Sequence, residues 1–180
     1  MSLDGFIAGP NGDTSWMQTD DEEQWLDTFE MLRSVDLILV GGVTFREYRD
    51  YWKQALTNPK ASPNEVAYAR LAEKTKHILF SSSVTDPQWQ NTQIIKGKVV
   101  DEVAKLKAQP GKDIYIVGGA KLAATLIDAD LVDEYRLTIN PAIIGNGKSF
   151  FRDQHTKHLL EPVQTKVLKT GVIIAQYNAK

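Results

Sequence analysis

Paired glycines stand at two places where a predicted strand gives way to a predicted helix. The two segments are Val40-Gly41-Gly42-Val43-Thr44 and Val117-Gly118-Gly119-Ala120-Lys121. Because glycine lacks a Cβ, the backbone can approach a ligand closely at such a turn. The helix that follows begins with unpaired N–H groups and a partial positive charge, and both features suit a phosphate group. The two turns therefore predict a dinucleotide site, with ordinary turn chemistry as the alternative explanation.

Three consecutive hydroxyl groups, those of Ser81, Ser82 and Ser83, follow a third predicted strand. Ligands of open α/β sheets bind outside the carboxyl ends of the strands. Two roles fit this run of serines. One is a contact with a nucleotide phosphate, and the other is the capping of a turn or helix.

The elements that must position these turns alternate between strands and helices along most of the chain. The nearly continuous apolar runs at 35–40 and 114–117 are typical of strands buried on both faces of a parallel sheet. After residue 131 three strands follow without a helix between them, and Lys169-Thr170-Gly171 predicts a hairpin turn, so this part is expected to be antiparallel. The other predicted helices and strands lie at 20–33, 44–52, 64–74, 98–107 and 120–127, and at 77–81, 94–95, 131–139, 163–168 and 172–177, respectively.

The first predicted helix carries acidic residues at its start and an apolar face. The acids at 20–23 favour the positive end of the helix dipole. The apolar face is predicted to consist of Trp25, Leu26, Phe29 and Leu32.

Composition limits the class of protein. A chain of 180 residues is long enough for one domain with a sizeable core, so we predict a single domain over residues 1–180. The net charge of −2 and the dispersed lysines and arginines argue against a partner that is a nucleic acid or an anionic membrane. Without cysteine there are no disulfides or thiol nucleophiles, and no targeting or membrane-spanning pattern is present. We therefore expect a cytoplasmic protein.

Two histidines near the C-terminus are candidate metal ligands. His155 and His158 are three residues apart and could share one face of a helix. A structural zinc site needs four ligands and a catalytic one at least three, and no third ligand is evident near them. We predict a polar loop here and no metal site.

Four motifs, in this order, resemble the dihydrofolate reductase superfamily. They are Ser2 to Ala8, Val40 to Phe45, Ile116 to Ala120, and Leu131 to Pro141 followed by Gly145-Asn146-Gly147 and Phe150-Phe151. The similarity is greater to the C-terminal reductase domains of bifunctional riboflavin-biosynthesis (deaminase-reductase) proteins, and it covers nearly the whole chain. The resemblance implies a three-layer α/β fold with a mostly parallel central sheet and antiparallel C-terminal strands. It also implies NADPH across the strand ends, with a reducible heterocycle beside the nicotinamide.

The same resemblance assigns roles to the glycine turns. It implies that Gly41, Gly42, Val43 and Thr44 meet a cofactor phosphate and that the three serines lie near the adenosine phosphate. It places the pyrophosphate at the turn from Gly118 to Lys121, flanked by Val117 and Leu122. Ile7 and Ala8 are expected near the nicotinamide carboxamide, and the loop from Ala8 to Trp16 matches a loop that closes over the nicotinamide. Relatives of the riboflavin branch often form dimers, so a homodimer is expected.

On the substrate side, the resemblance places Asp4 and Thr138 at positions that border the pocket. The alternative for Asp4 is a structural role in its turn. Dihydrofolate reductases hold the pterin through a carboxylate on the first helix, but the matching residue here is Trp25. Asp21 and Glu22 border the apolar face, and Glu22 is the predicted acid, with a solvent-exposed acid at a helix start as the alternative. The residues predicted to line a pocket for a flat heterocycle are Trp16, Trp25 and Phe29, for which core packing is the alternative.

The chain departs from many relatives at Gly42, where they carry an arginine. Because an arginine can bind a phosphate through two parallel N–H groups, its loss weakens the expected preference for NADPH over NADH. The predicted function is NADPH-dependent reduction of a small heterocycle of the pterin or aminopyrimidine type, as in dihydrofolate reductase or 5-amino-6-(5-phosphoribosylamino)uracil reductase. The alternatives are a nucleotide-binding module of the same fold without turnover, and an interaction protein whose glycine turns serve packing.

Overall fold

The computed structural model describes residues 1–19, 21–117, 119–151 and 155–180, and these form two compact units. The first unit comprises Met1–Leu26 with Ala124–Lys180, and the second comprises Asp27–Ala123. The boundaries between them fall within helices α1 (Glu22–Leu32) and α5 (Ala120–Asp128). Within the described ranges, no helix is both long and apolar enough to cross a membrane.

A four-stranded parallel sheet forms the centre of the second unit. Its strands, in spatial order, are β4 (Thr92–Ile95), β3 (Lys76–Phe80), β2 (Val35–Gly41) and β5 (Asp113–Ile116). The strand β2 pairs in parallel with β3 on one side and with β5 on the other. Its residues from Leu37 to Val40 are all buried, which accounts for the continuous apolar run because both faces of a central strand are covered. The predicted parallel sheet is confirmed.

Helices α2 (Gly42–Thr57), α3 (Pro63–Lys74) and α4 (Val99–Lys107) lie wholly within the second unit. The helix α2 is longer than the predicted 44–52, since it begins at Gly42 and its buried face continues to Ala55. At the start of α3, Ser62 Oγ accepts a hydrogen bond from Glu65 N at 3.2 Å, and Glu65 Oε2 accepts one from Ser62 N at 2.7 Å. This capping box fixes the start of α3.

Antiparallel strands form the C-terminal part of the first unit. Strand β9 (Ile173–Ala179) lies between β6 (Glu134–Ile139) and β8 (Leu160–Val167), and it is antiparallel to both. In the hairpin between β8 and β9, Gly171 has a φ of +83° and its N–H donates to Leu168 O at 2.9 Å. The predicted antiparallel C-terminal strands are confirmed, and they form a hydrogen-bonded sheet of their own.

The beginning of the chain belongs to the first unit as well. Strand β1 (Phe6–Ala8) pairs antiparallel with the short β7 (Lys148–Ser149). Ser2 forms an isolated parallel bridge with Asn140, just after β6. The N-terminal segment is thus joined to the segment that follows β6.

Helix α1 confirms most of its predicted apolar face. Leu32 is buried, and Trp25 and Phe29 are half-buried. Leu26, however, is 64% exposed, so its assignment to the apolar face is wrong. Successive residues of a helix are rotated by about 100°, and this turns Leu26 away from the line that joins the other three.

Candidate cofactor-binding site

The three predicted phosphate-binding segments meet at one edge of the parallel sheet in the second unit. Because β3, β2 and β5 are adjacent and parallel, their carboxyl ends share that edge. Gly41 ends β2, Ser81 follows β3, and Gly119 lies just before α5. A Cβ added to Gly41 would lie 3.8 Å from Leu122 Cβ in the first turn of α5. The segments that the sequence places far apart are therefore neighbours, whereas Gly118 lies outside the described residues.

Gly42 is pressed against Ser81. A Cβ added at position 42 would lie 2.6 Å from Ser81 Oγ and 3.0 Å from Ser81 Cβ, closer than real Cβ contacts. The backbone leaves no room for a side chain while Ser81 keeps its conformation. This contact is a physical reason for glycine where many relatives have arginine.

The second glycine turn is close-packed as well. Gly119 has a φ of +83°, which favours glycine, and a Cβ there would lie 3.1 Å from Thr44 Oγ1. Val117 N donates to Leu39 O at 3.0 Å, which extends the pairing of β5 with β2 up to the turn. Thr44 of one turn therefore packs directly on the backbone of the other.

The first turn of α2 suits an anion. Gly41 is its N-cap, and no side chain in the described part of the chain caps that end. The first turn carries no acidic residue, and Val43 is 76% exposed. The unpaired N–H groups and the helix dipole therefore favour negative charge here. The start of α5 is similar, because it lacks acidic residues and carries the exposed Lys121.

The three serines of the run have different surroundings. Ser81 Oγ accepts hydrogen bonds from Ser83 N at 3.3 Å and from Val84 N at 3.1 Å, so Ser81 caps the turn after β3. Ser82 and Ser83 are exposed. The capping role that the sequence left open is thus present at Ser81, and the phosphate contact of the run stays a prediction.

Ile7 and Ala8, which are predicted to lie near the nicotinamide, are in β1 of the first unit, and Gly147 lies against the end of this strand. Ile7 and Ala8 are half-buried in β1, and Ala8 pairs with Lys148. A Cβ at Gly147 would lie 2.1 Å from Ala8 O and 2.9 Å from Gly9 Cα. Only glycine allows the two backbones to approach this closely.

Asp4 is tied to the backbone of the loop after β6. Its carboxylate accepts hydrogen bonds from Ser2 Oγ at 2.7 Å, from Gly145 N at 2.8 Å and from Ile144 N at 3.2 Å. The Ser2 hydroxyl and these backbone N–H groups lower the pKa of the Asp4 carboxyl. These contacts give Asp4 a structural role, and its catalytic role stays a prediction.

The remaining predicted site residues lie on several elements. Thr138 is half-buried in β6 opposite Ile174, and Glu22 is exposed at the first position of α1. Trp16 is half-buried and its Nε1 donates to Asp13 O at 3.0 Å. Trp25 lies within the first unit, while Phe29 is assigned to the second. Their roles toward a substrate stay predictions.

The two histidines near the C-terminus have carboxylate partners. Asp128 Oδ1 accepts a hydrogen bond from His155 N at 3.2 Å, and His158 Nδ1 lies 3.3 Å from Asp130 Oδ1. These contacts join the segment before β8 to the end of α5. They also give the side chain of His158 a carboxylate partner.

Two buried polar residues were missed by the sequence analysis. His77 on β3 is fully buried, and burial lowers its pKa. Asn140 is 4% exposed, and its Oδ1 accepts a hydrogen bond from Gln18 N at 2.7 Å. The signal available for Asn140 was a polar residue before proline at the end of a predicted strand, which is common in ordinary turns as well.

The sequence and the fold agree in pointing to one family. The sequence profile of the RibD C-terminal domain matches residues 1–174. This chain belongs to the RibD C-terminal domain family. It is 36% identical over 179 residues to YyaP, an uncharacterized protein of Bacillus subtilis (strain 168), with 99% of this chain and 90% of YyaP covered.

Solved structures confirm the fold of this family member. A protein from Shewanella sp. PV-4, described as a riboflavin biosynthesis protein, has a TM-score of 0.75 at 21% identity, with 100% of this chain and 95% of that chain covered. Dihydrofolate reductase from Enterococcus faecalis, complexed with NADP(H), has a TM-score of 0.60 at 15% identity, with 100% and 92% covered. The chain therefore has the dihydrofolate-reductase-like α/β fold, as predicted.

Proposed function

We propose that this RibD C-terminal domain protein is a reductase that binds NADPH and reduces a small heterocycle of the pterin or aminopyrimidine type. The observation that carries the proposal is the convergence of the two glycine turns and the serine run at one edge of the parallel sheet. Membership of the family and the reductase fold support the same conclusion.

The residues at this edge fit the phosphates of a dinucleotide. The start of α2 offers N–H groups that no described side chain caps, and Gly119 leaves a space that a Cβ would fill beside Thr44. Lys121 adds a positive charge at the start of α5. In the proposed complex these groups bind the pyrophosphate, and Ser82 and Ser83 are the candidate partners of the adenosine phosphate.

The chemistry of hydride transfer belongs to the cofactor, which supplies the hydride when it is bound. The task of the protein is to align the two reactants and to exclude water. Ile7 and Ala8 are proposed to contact the carboxamide end of the cofactor, and Trp16 and Trp25 to contact the heterocycle. Glu22 is the proposed source of a proton, with Asp4 and Thr138 at the border of the pocket.

The first experiment measures binding and turnover by the unmodified protein. Calorimetry with NADPH and with NADH is expected to show binding, with a preference for NADPH that Gly42 weakens. When the protein and NADPH are mixed with each member of a panel of pterins and aminopyrimidines, the absorbance of the reduced nicotinamide is expected to fall steadily. Binding without turnover on any of these compounds would favour a nucleotide-binding module, and an absence of binding would refute the proposal.

A second experiment locates the phosphates at the start of α2. The Val43→Glu variant adds a negative charge there and is expected to weaken NADPH binding about tenfold, or about 1.4 kcal/mol, through repulsion of the phosphates. Its thermal stability is expected to be unchanged or higher, because an acid suits the first turn of a helix. The matched control is Val167→Glu, at a valine that is 67% exposed on β8. Equal affinities of the two variants would exclude the start of α2 as the phosphate site.

A further inference from the structure

A cavity of about 400 Å³ lies in the second unit, near the amino-terminal end of β3. It is lined by Lys53 of α2, Glu73 of α3 and residues 86–90 of the connection between β3 and β4. A volume of this size is sufficient for a small organic molecule. Lys53 is 11 residues beyond Gly42, which places it about 16 Å along α2 from the glycine turn. The cavity is therefore separate from the groups that are proposed to bind the cofactor phosphates.

The wall formed by residues 86–90 is tied to α3 and β3 through Asn91. Asn91 Nδ2 donates to Glu73 O and to Lys74 O, both at 3.2 Å, and so satisfies carbonyl groups at the end of α3. Asn91 O accepts a hydrogen bond from His77 N at 2.8 Å, at the start of β3. These bonds hold the end of the connection beside the last turn of α3, where Glu73 completes the cavity.

Trp89 is the buried side chain of this wall. It is 6% exposed, and its ring centroid lies 6.3 Å from that of Tyr48 and 6.2 Å from that of His77. Both neighbours have other partners, since His77 Nδ1 donates to Thr75 O at 2.9 Å and His77 Nε2 lies 3.4 Å from the Tyr48 hydroxyl. Trp89 Nε1 has no hydrogen-bond partner in the described part of the chain. Because buried indole N–H groups usually find an acceptor, this donor is available to an acceptor atom of a ligand.

Charged groups of both signs line the same cavity. Within residues 1–19, 21–117, 119–151 and 155–180, the side chains of Lys53 and Glu73 form no hydrogen bond or ion pair. Asp86 Oδ1 accepts a hydrogen bond from Gln88 N at 3.0 Å, which leaves the second carboxylate oxygen for another donor. A ligand that carries both a positive and a negative charge can pair with both kinds of group.

We propose that this cavity binds a small zwitterion with the chemistry of a free amino acid. The ligand carboxylate accepts a hydrogen bond from Trp89 Nε1 and pairs with Lys53. The ligand ammonium group pairs with Glu73 and Asp86. Because Nε1 is covered in the protein alone, binding requires a small movement of residues 86–90. The inference goes beyond the proposed reductase function and does not rest on it, since the lining residues are not part of the candidate cofactor-binding site.

The first test follows the four tryptophan indole N–H signals in NMR spectra of the ¹⁵N-labelled full chain. The signal of Trp89 is assigned by its absence from the spectrum of Trp89→Phe. Each of the common L-amino acids is added in turn, and at least one is expected to shift this signal with a Kd below about 1 mM. The signals of Trp16 and Trp25, which belong to the first unit, are the internal control and are expected to stay in place. The absence of a saturable shift at Trp89 with every amino acid would overturn the proposal.

The second test separates the two ends of the ligand by calorimetry. The methyl ester of the tightest-binding amino acid keeps the ammonium group, whereas the N-acetyl derivative keeps the carboxylate. Each is expected to bind about tenfold more weakly than the amino acid itself, because each lacks one charge-assisted contact. If either derivative bound as tightly as the amino acid, the ligand would not be recognised as a zwitterion, and the proposal would be wrong.

The third test assigns each end to its residue. Lys53→Met and Glu73→Gln are each expected to bind the amino acid about tenfold more weakly. The weaker binding of the methyl ester is expected to shrink in Lys53→Met, and that of the N-acetyl derivative in Glu73→Gln, because the contact is already lost. The matched controls are Lys96→Met and Glu47→Gln, at exposed positions outside the cavity, and these are expected to bind as the unmodified protein does. Equal losses in the controls, or unchanged differences between the ligands, would refute the assignment of the cavity.

Discussion

Replacing Gly42 with alanine is expected to destabilise the protein only while Ser81 is present. The new methyl group would lie 2.6 Å from Ser81 Oγ, so the serine side chain must rotate and give up its hydrogen bonds from Ser83 N and Val84 N. Two such bonds contribute about 1–3 kcal/mol. Alanine in place of glycine at an unstrained helical position stabilises by about 0.4–1 kcal/mol. The expected net effect of Gly42→Ala is a loss of about 1 kcal/mol in the free energy of unfolding.

The sign is expected to reverse in a Ser81→Gly background. That substitution removes both atoms that the new methyl group meets, so Gly42→Ala is expected to stabilise there by about 0.4–1 kcal/mol. The difference between the two backgrounds is then about 2 kcal/mol, well above the roughly 0.5 kcal/mol by which independent substitutions depart from additivity. The assay is urea denaturation of all four proteins, followed by both circular dichroism and fluorescence to check that the transitions coincide. Stabilisation by Gly42→Ala in both backgrounds would show that Ser81 does not constrain position 42.

Three further predictions concern His77, two glycines and the oligomeric state. Burial lowers the pKa of His77 in the folded protein, so the unfolded chain binds the proton first as the pH falls below about 6.5, and stability is lost from there downward. The urea midpoint is therefore expected to fall from pH 7 to pH 5, and less steeply in His77→Gln; an equal slope would refute this. Gly147→Ala is expected to cost about 3 kcal/mol or more through its clash with Ala8 O, whereas Gly145→Ala, with φ +72° and open space, costs about 1–2 kcal/mol; equal thermal shifts would contradict the packing argument. The expected homodimer would elute in size-exclusion chromatography with light scattering at twice the 20.2 kDa of one chain, and a monomer would rule it out.

The sequence predicted those parts of the fold that local patterns determine. The apolar run in β2 reflects a strand with neighbours on both edges, and glycine next to such a run marks the turn into a helix. The extension of α2 beyond Trp52 was missed because exposed positions such as Lys53 and Gln54 dilute the apolar pattern, while the buried Ala55 is too small to signal a face. Leu26 was misassigned because its hydrophobicity, and not its rotation around α1, was counted.

The candidate site could be predicted only to the level of its segments. Strand β2 lies between β3 and β5 and is parallel to both. This arrangement brings the two glycine turns and the serine run to one edge of the sheet. The hydrogen bond between Gln18 and Asn140 depends on a contact across 122 positions, for which one sequence carries no signal. The same is true of the approach of Gly147 to Ala8.

The contact between Gly42 and Ser81 changes how the departure from the family at position 42 is understood. In the sequence analysis, Gly42 stands where many relatives carry an arginine, and the absence of that arginine weakens the expected preference for NADPH. In the folded chain, position 42 has no room for any side chain while Ser81 Oγ caps the turn at Ser83 and Val84. The effect of position 42 on the proposed preference between NADPH and NADH therefore depends on the residue at position 81 as well. An arginine introduced at position 42 can extend toward a phosphate only if the residue at position 81 gives way, and the loss of the cap would then loosen the serine run that is proposed to meet the adenosine phosphate.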